Sequence, residues 1–287
     1  MSPRTVGVDV GGTTVKGVLI DRAGCVESEV RRPTPSPDPD GEGVVATVAQ
    51  VVADLTRDGG EPVGVVVPGI VDESRGIAVQ SVNLGWSDLP IAAMLEHRLR
   101  RPVAFGHDVR AGGLAEAMWG AAADAGGIIA FVPIGTGIAA ALLVDGRPIV
   151  GEGWAGEIGQ MPIRTGPYAG DPLEAVASAA GIARRAGAPD AKTVAARVDS
   201  GDPRACRAWD ETIDVLTEAL TALTAVLAPK TIVIGGGLSL AGATLLAPLA
   251  ARLDGQLGGL RRPALRAAAL GDRAAAMGAA ALAWSDR

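Results

Sequence analysis

The stretch VGVDVGGTTVKG, residues 6–17, decides the fold expected for the N-terminal part of the chain. Apolar residues flank Gly11-Gly12-Thr13, a pattern that predicts two β-strands joined by a tight turn. The glycines have the spacing of a P-loop, but no Lys-Ser/Thr pair follows the second glycine, so this is not a Walker motif. On this stretch alone, a structural hairpin turn and a phosphate-binding turn are equally open.

A second stretch repeats the design. In IGTGIAAALLVDG, residues 134–146, a strand pattern precedes Gly135-Thr136-Gly137 and another follows it. Two such turns can direct amides and hydroxyls at the same anion, which favours phosphate binding. A third glycine cluster, Gly235 to Gly237, follows the strand pattern TIVI, although a single cluster of this kind is usually only a turn.

The amino-acid composition indicates a folded protein and argues against some classes of partner. A chain of 287 residues with 48% hydrophobic content can bury one or two large cores. The net charge of -6 offers no basic surface for nucleic acid or anionic lipid, so we predict neither partner and no membrane association. Cys25 and Cys206 form no recognisable framework, which favours a reducing cytoplasm. Residues 125–144 carry no charge, but Pro133 and the glycine turn divide them into two strands.

Strand and helix patterns alternate along the chain, which predicts an α/β fold with two similar halves, each opened by a hairpin with a glycine turn. In the second half the patterns predict helices around residues 173–186 and 210–227. We predict an N-terminal lobe over residues 1–112 and a C-terminal lobe over 113–271. The C-terminal helix, about residues 272–287, is expected to pack back on the first lobe.

Several segments together resemble the ROK family of repressors, open reading frames and kinases, in the sugar-kinase branch of the actin-like ATPase superfamily. The resemblance covers nearly the whole chain and implies two actin-like (ribonuclease H-like) α/β lobes with an active-site cleft between them. The segments that carry it, in the family order, are VGVDVGGTTVKGVLID (6–21), VPGIVD (67–72), NLGW (83–86), GHDVRAGGLAEAMWGAA (106–122), IGTGIAAALLVDG (134–146), GWAGEIGQMPI (153–163), DPLEAVASAAGIARRAG (171–187), TIVIGGGLSLAG (231–242) and LGDRAAAMGAAALA (270–283).

The resemblance implies that Asp108 is the catalytic general base, since an alcohol attacking a phosphoryl group needs a carboxylate to accept its proton. The alternative for Asp108 is a helix N-cap. Asp9 resembles the family's Mg²⁺-side acid, acting through water. Its alternative is a strand-end carboxylate that only orders the loop.

Other positions match the family's binding residues. Lys16 can equally be a solvated strand lysine, Glu157 and Glu174 can be solvated helix-side carboxylates, and His107 can contact the ligand, tune Asp108 or simply pack. The implied ATP phosphate-binding residues are Gly11, Gly12, Thr13, Lys16, Gly135, Thr136 and Gly137; the adenosine-side residues are Gly236 and Gly237; the sugar-binding residues are Asn83, His107, Asp108, Glu157, Gln160 and Glu174.

The residues expected near the sugar, which accepts the phosphoryl group, depart from the family pattern. Most relatives resemble one another in an Asn before the catalytic Asp, a His after GEIG and three Cys that hold a structural zinc with that His. Here the first two positions are His107 and Gln160, and no cysteine lies between Cys25 and Cys206. We therefore predict no structural zinc. Prolines, packing and Tyr168 as an anchor are expected to hold residues 164–172.

The resemblance implies an ATP- and Mg²⁺-dependent kinase, glucokinase-like, that phosphorylates the 6-hydroxyl of a hexose. The first alternative is the same transfer to an amino sugar, another aldose or a cyclitol, and the second is a non-catalytic sugar sensor. A repressor with an N-terminal helix-turn-helix is disfavoured because the first predicted strand begins near Thr5. The expected partners are a small-molecule sugar or polyol and a second copy in a homodimer.

Overall fold

The computed structural model describes residues 3–56 and 59–285 and divides into two compact units. Unit 1 comprises residues 1–119, 147–155 and 272–287, and unit 2 comprises residues 120–146 and 156–271. The elements in chain order are β1 (Arg4–Val10), β2 (Thr14–Asp21), β3 (Val26–Pro33), α1 (Glu42–Leu55), β4 (Val63–Val67), β5 (Ile70–Asp72), β6 (Ile77–Ser81), β7 (Trp86–Leu89), α2 (Ile91–Leu99), β8 (Ala104–His107), α3 (Asp108–Trp119), β9 (Ile128–Pro133), β10 (Ala141–Val144), β11 (Arg147–Pro148), α4 (Leu173–Ala177), α5 (Ala179–Ala186), α6 (Ala191–Asp199), α7 (Pro203–Leu227), β12 (Thr231–Gly235), α8 (Ala243–Gln256), β13 (Ala264–Ala267) and α9 (Ala274–Ser285).

The main sheet of unit 1 has the strand order β3-β2-β1-β4-β8. Strands β1, β2 and β3 are antiparallel neighbours, whereas β4 is parallel to β1 and β8 is parallel to β4. Asp9 is in register with Val66, and Val67 with His107. The carboxyl ends of β1 and β8 therefore lie at the same edge of the sheet, where ligands of parallel α/β sheets usually bind.

The sheet of unit 2 contains β10, β9, β12 and β13 in that order. Strand β10 is antiparallel to β9, and β12 is parallel to both β9 and β13. Gly235 is in register with Pro133. The glycine clusters that follow β9 and β12 therefore leave this sheet at one edge.

The core of unit 1 follows from the valine-rich strands. Val6, Val8, Val63 and Val65 share one face of β1 and β4, pack with the valines of α1 and are at most 1% exposed. The other face is covered by α9, which lies so close to the sheet that a Cβ on Gly7 would come within 1.9 Å of the Ala276 carbonyl oxygen. Glycine is required at this contact because any side chain would overlap a backbone atom.

The boundary predicted between residues 112 and 113 falls inside α3, all of which belongs to unit 1. Residues 147–155, predicted for the second lobe, also group with unit 1. Helix α9 packs against β1, β4 and α3. Residues 125–144, the uncharged run, contribute β9 and β10, and within the described ranges no helix is both long and apolar enough to cross a bilayer.

Candidate active site

The turn between β1 and β2 is held from two sides. The Gly11 amide donates to the Thr14 carbonyl at 3.0 Å, which closes the turn. The Thr34 hydroxyl donates to the Gly11 carbonyl at 2.7 Å, and the Thr34 amide donates to the Thr13 carbonyl at 3.0 Å. Gly12 faces Asn83, whose Cβ would lie 3.5 Å from a Cβ at Gly12. Asn83, proposed for the sugar, therefore lies beside the turn proposed for the phosphates.

A charged network lies next to this turn. Asp9 and Lys16 are directly paired across β1 and β2. The Lys16 ammonium donates to the Asp272 carbonyl at 2.6 Å and lies 3.4 Å from the Asp272 carboxylate, which also accepts from Arg31 at 2.8 Å. Lys16 is therefore not the solvated strand lysine of the alternative interpretation, since its side chain is only 14% exposed.

Burial controls the charge of Asp9. Desolvation raises the pKa of its carboxyl from 3.8 to about 6, with Asp272 adding to the rise and Lys16 opposing it. Burial disfavours the charged form of this carboxylate, and a nearby cation would stabilise that form. Asp9 therefore suits a Mg²⁺ ion bound through water. Among the residues that the structure describes, no group of three or more His, Cys, Asp or Glu side chains is placed to hold a metal ion.

Asp108 begins α3 directly after β8. Its Oδ1 accepts a hydrogen bond from the Val109 amide at 2.7 Å and lies 3.2 Å from Nε2 of His107. The Asp108 side chain is 26% exposed, whereas that of His107 is 7% exposed. The position before the helix belongs to His107, whose Nδ1 accepts from the Arg110 amide at 3.4 Å. This is the bond that an N-cap side chain makes, so His107 rather than Asp108 takes the capping role.

Arg110 and Glu73 fix the strand-to-helix junction. The Arg110 guanidinium, buried with its residue only 2% exposed, donates to Glu73 Oε1 at 2.8 Å and to the Val71 carbonyl at 3.2 Å. The same Glu73 oxygen accepts the His107 amide at 3.1 Å. Because Arg110 is almost fully buried, its charge would be costly to leave unpaired, so these bonds hold the junction in place.

In unit 2, the glycine turn that follows β9 meets the one that follows β12. Gly135 donates its amide to the Gly137 carbonyl at 3.0 Å, which closes the turn around Thr136. A Cβ at Gly236 would lie 2.4 Å from the Ile134 carbonyl oxygen, and Gly236 has a φ of 73°. Gly236 and Gly237 therefore lie beside the residues proposed for the phosphates.

The sugar-side residues of unit 2 gather at the same place. Glu174, in the first turn of α4, accepts the Gln160 amide at 2.9 Å with Oε1 and the Ile138 amide at 3.4 Å with Oε2. Glu157 immediately precedes the 3₁₀ turn Ile158–Gln160. Unit 2 therefore brings Gln160 and Glu174 to the end of the glycine turn.

The segment over residues 164–172 is held by carboxylates of α7. Glu218 of α7 accepts the Arg164 amide at 2.8 Å, and the Tyr168 hydroxyl donates to Glu211 at 2.7 Å. Arg185 also donates to Glu211 and lies 5.3 Å from the centre of the Tyr168 ring. Tyr168 thus has the contacts expected of an anchor, while Glu211 and Glu218 were not foreseen.

Unit 1 holds Asp9, Gly11, Gly12, Thr13, Lys16, Asn83, His107 and Asp108, and unit 2 holds Gly135, Thr136, Gly137, Glu157, Gln160, Glu174, Gly236 and Gly237. Sequence reasoning missed Asp272, Arg31, Glu73 and Arg110. Arg110 and Asp272 lie inside segments that carry the family resemblance, which was a usable signal. Their partners lie far away along the chain, so no local pattern identified the pairs.

The family model of the ROK family matches residues 5–286. The chain belongs to the ROK family. It is 33% identical over 279 residues to a glucokinase of Halalkalibacterium halodurans, which covers 85% of this chain and 83% of that one. A ROK hexokinase of Thermus thermophilus has a similar structure, with a TM-score of 0.85, 30% identity and coverage of 99% and 98% of the two chains.

A ROK family glucokinase of Streptomyces griseus, solved in complex with glucose and AMPPNP, also has a similar structure. Its TM-score is 0.83 at 25% identity, and the match covers 98% of this chain and 99% of that one. These ROK kinases have the actin-like α/β fold that the sequence resemblance implied.

Proposed function

We propose that this ROK protein transfers the γ-phosphoryl group of ATP to a primary hydroxyl of a hexose such as glucose. The observation that carries the proposal is the edge of the unit 1 sheet, from which both the glycine turn with Asp9 and the residue Asp108 emerge. Because β1 and β8 are separated by one strand, about 10 Å of sheet lies between them. The resemblance to hexose kinases supports the same assignment.

Asp108 is the proposed general base. The sugar hydroxyl oxygen forms a bond to the γ-phosphorus while its proton passes to the Asp108 carboxylate. The bond between that phosphorus and the bridging oxygen breaks, and ADP leaves with the electron pair. The partly exposed position of Asp108 at the start of a helix, with Oδ1 held by the Val109 amide, supports this role.

The phosphate groups of ATP are assigned to the two glycine turns, Gly11 to Thr13 and Gly135 to Gly137, with Lys16 as a nearby cation. Gly236 and Gly237 are assigned to the adenosine. Asp9 would hold Mg²⁺ through water, and the bound ion would neutralise phosphate charge. The contacts among Gly236, Ile134 and the Gly135 turn support a continuous nucleotide surface within unit 2.

The sugar is assigned to Asn83, Asp108, Glu157, Gln160 and Glu174. The Gln160 amide donates to Glu174, and an amide offers the sugar both a donor and an acceptor with no charge state. This pairing supports an alternative acceptor, such as an amino sugar, another aldose or a cyclitol, for the same transfer.

The experiment is an ADP-release assay with ATP and Mg²⁺ across aldohexoses, N-acetylhexosamines, pentoses and cyclitols. We expect the highest kcat/KM on a hexose and a fall of about 10²- to 10⁴-fold in Asp108→Asn. Asp145→Asn, which changes an exposed aspartate in the turn after β10, is the matched control and keeps full activity. Unchanged turnover in Asp108→Asn contradicts the assignment of the base. No turnover on any sugar, together with intact ATP binding, favours the sensor alternative.

We further propose that the protein acts in the cytoplasm, as a homodimer and without structural zinc. The cytoplasm is supported by the two free cysteines, Cys25 and Cys206. The absence of structural zinc is supported by the carboxylate anchors Glu211 and Glu218. The homodimer rests on the family resemblance alone.

A further inference from the structure

The side chain of His107, which the resemblance implied for the sugar, is only 7% exposed. His107 is the last residue of β8, which is the strand next to β4, and it directly precedes the proposed base Asp108. A side chain with so little free surface is poorly suited to contact a substrate. Its own contacts therefore indicate what it does.

The two ring nitrogens of His107 have different partners. Nδ1 accepts the Arg110 amide, so it carries no proton. A neutral imidazole has one N–H, which this contact assigns to Nε2, the atom that lies 3.2 Å from Oδ1 of Asp108. The ring stays neutral at physiological pH because burial, with a smaller contribution from the charge of Arg110, lowers the pKa of His107 to about 3.

The contacts described for His107 include charged groups from two parts of unit 1. Asp108 and Arg110 belong to the start of α3, and Glu73 lies between β5 and β6. Glu73 accepts both the backbone amide of His107 and the guanidinium of Arg110. The imidazole is thus fixed through its backbone and through Nδ1, with its Nε2 3.2 Å from Oδ1 of Asp108.

We propose that His107 is a positioning residue whose Nε2–H donates to Oδ1 of Asp108 and fixes the plane of that carboxylate for proton transfer. The inference rests on the proposed function, because it gives His107 its role through the proposed base. It replaces the expectation that His107 contacts the sugar. It also predicts that His107 acts without titrating, as a fixed neutral donor.

The test compares His107→Asn, His107→Ala and wild type in steady-state kinetics from pH 5 to 9. Asparagine can still cap α3 but is too short to cap and reach Asp108 together, so kcat falls about 10-fold while the KM values change less than about 2-fold. His97→Ala, at the exposed second histidine, is the control and behaves as wild type.

Other outcomes overturn the inference. Wild-type kinetics in His107→Asn together with a lower melting temperature in His107→Ala would leave only a capping role. A KM for sugar raised more than 10-fold at unchanged kcat would make His107 a sugar ligand. If Asp108→Asn keeps full turnover, the proposed function of Asp108 fails, whereas loss of turnover there with no effect in His107→Asn refutes the positioning role alone.

A second measurement does not depend on activity. In tag-free His97→Ala protein His107 is the only histidine, so long-range proton–nitrogen NMR reports its ring directly. The expected spectrum is that of the neutral Nε2–H tautomer, unchanged from pH 5 to 8. A protonated ring or the Nδ1–H tautomer in that range contradicts the inference.

Discussion

Two carboxylates at one sheet edge of unit 1 have different surroundings. Burial raises the pKa of Asp9 to about 6, whereas Asp108 receives the Val109 amide at its Oδ1 and keeps about a quarter of its side chain exposed. A nearby cation would favour the charged form of Asp9 and offset the cost of its burial. The differing environments fit two roles, one towards a cation and one towards a proton.

Asp9→Asn should stabilise the protein above pH 6 in metal-free buffer. The folded-state pKa of about 6 exceeds the value of 3.8 expected without burial, so the folded state binds more protons between these values. The free energy of unfolding of the wild type therefore falls as pH rises from about 4 to 6, by up to about 3 kcal/mol. Asparagine does not titrate, so this loss is absent from the variant.

The measurement is chemical denaturation of Asp9→Asn and wild type in EDTA from pH 4 to 8. Relative to wild type, the free energy of unfolding of the variant should rise by about 1–3 kcal/mol between pH 4 and 7.5. The variant should also lose most of its Mg²⁺-dependent activity. A difference that stays constant with pH would show that Asp9 has an ordinary pKa in the folded protein.

Local patterns predicted the residues that belong to turns. Gly11, Gly12 and Gly135 stand in tight turns after strands, as alternating apolar runs around glycine indicate. The pairs Lys16 with Asp272 and Arg110 with Glu73 were missed, because the first is separated by 256 residues and the second by 37. Side chains that distant meet only through the topology of the sheet, which residue spacing does not encode.

At the scale of elements, α9 depends on a glycine in its interior. A Cβ on Gly278 would lie 1.9 Å from the Ala111 carbonyl oxygen of α3, and a Cβ on Gly64 of β4 would lie 1.8 Å from the Ala279 carbonyl oxygen of α9. The helix therefore lies with its backbone against both α3 and the sheet. The small alanine and glycine residues of α9 permit this close approach.

Gly278→Ala should destabilise unit 1 by at least about 2 kcal/mol because the added methyl group overlaps a backbone atom. Gly255→Ala is the matched control, since Gly255 lies within α8 and a Cβ there meets nothing within 4 Å. Alanine at that position should be neutral or stabilise by up to about 1 kcal/mol through helix propensity. Calorimetric melting of both variants tests this, and equal stability of the two would contradict the close packing of α9.

Helix boundaries were predicted less well than helix existence. The helix expected from residue 210 begins at Pro203, with Asp202 accepting the Ala205 amide at 2.8 Å as its cap. Helix α6, capped by Asp190, was not predicted, although an Asp before a polar and apolar run is a usable start signal. The helix expected from 173 to 186 is two helices, which meet at Ser178.

At the scale of the whole molecule, each unit repeats one design. A hairpin with a glycine turn, β1–β2 or β9–β10, is followed by parallel strands, β4 and β8 in unit 1 and β12 and β13 in unit 2. This repetition was predictable because strand periodicity and turn glycines are local. The assignment of residues 147–155 to unit 1 was not, since it depends on contacts with residues distant in the chain.

Phosphoryl transfer from ATP to a hexose is tested by phosphorus NMR of a reaction that contains the protein, glucose, ATP and Mg²⁺, with Asp108→Asn in parallel. We expect one sugar phosphomonoester for each ADP, phosphorylated at the 6-hydroxyl, and a rate at least about 100-fold lower in the variant. ADP accompanied only by inorganic phosphate, or an equal yield of sugar phosphate from Asp108→Asn, would contradict it.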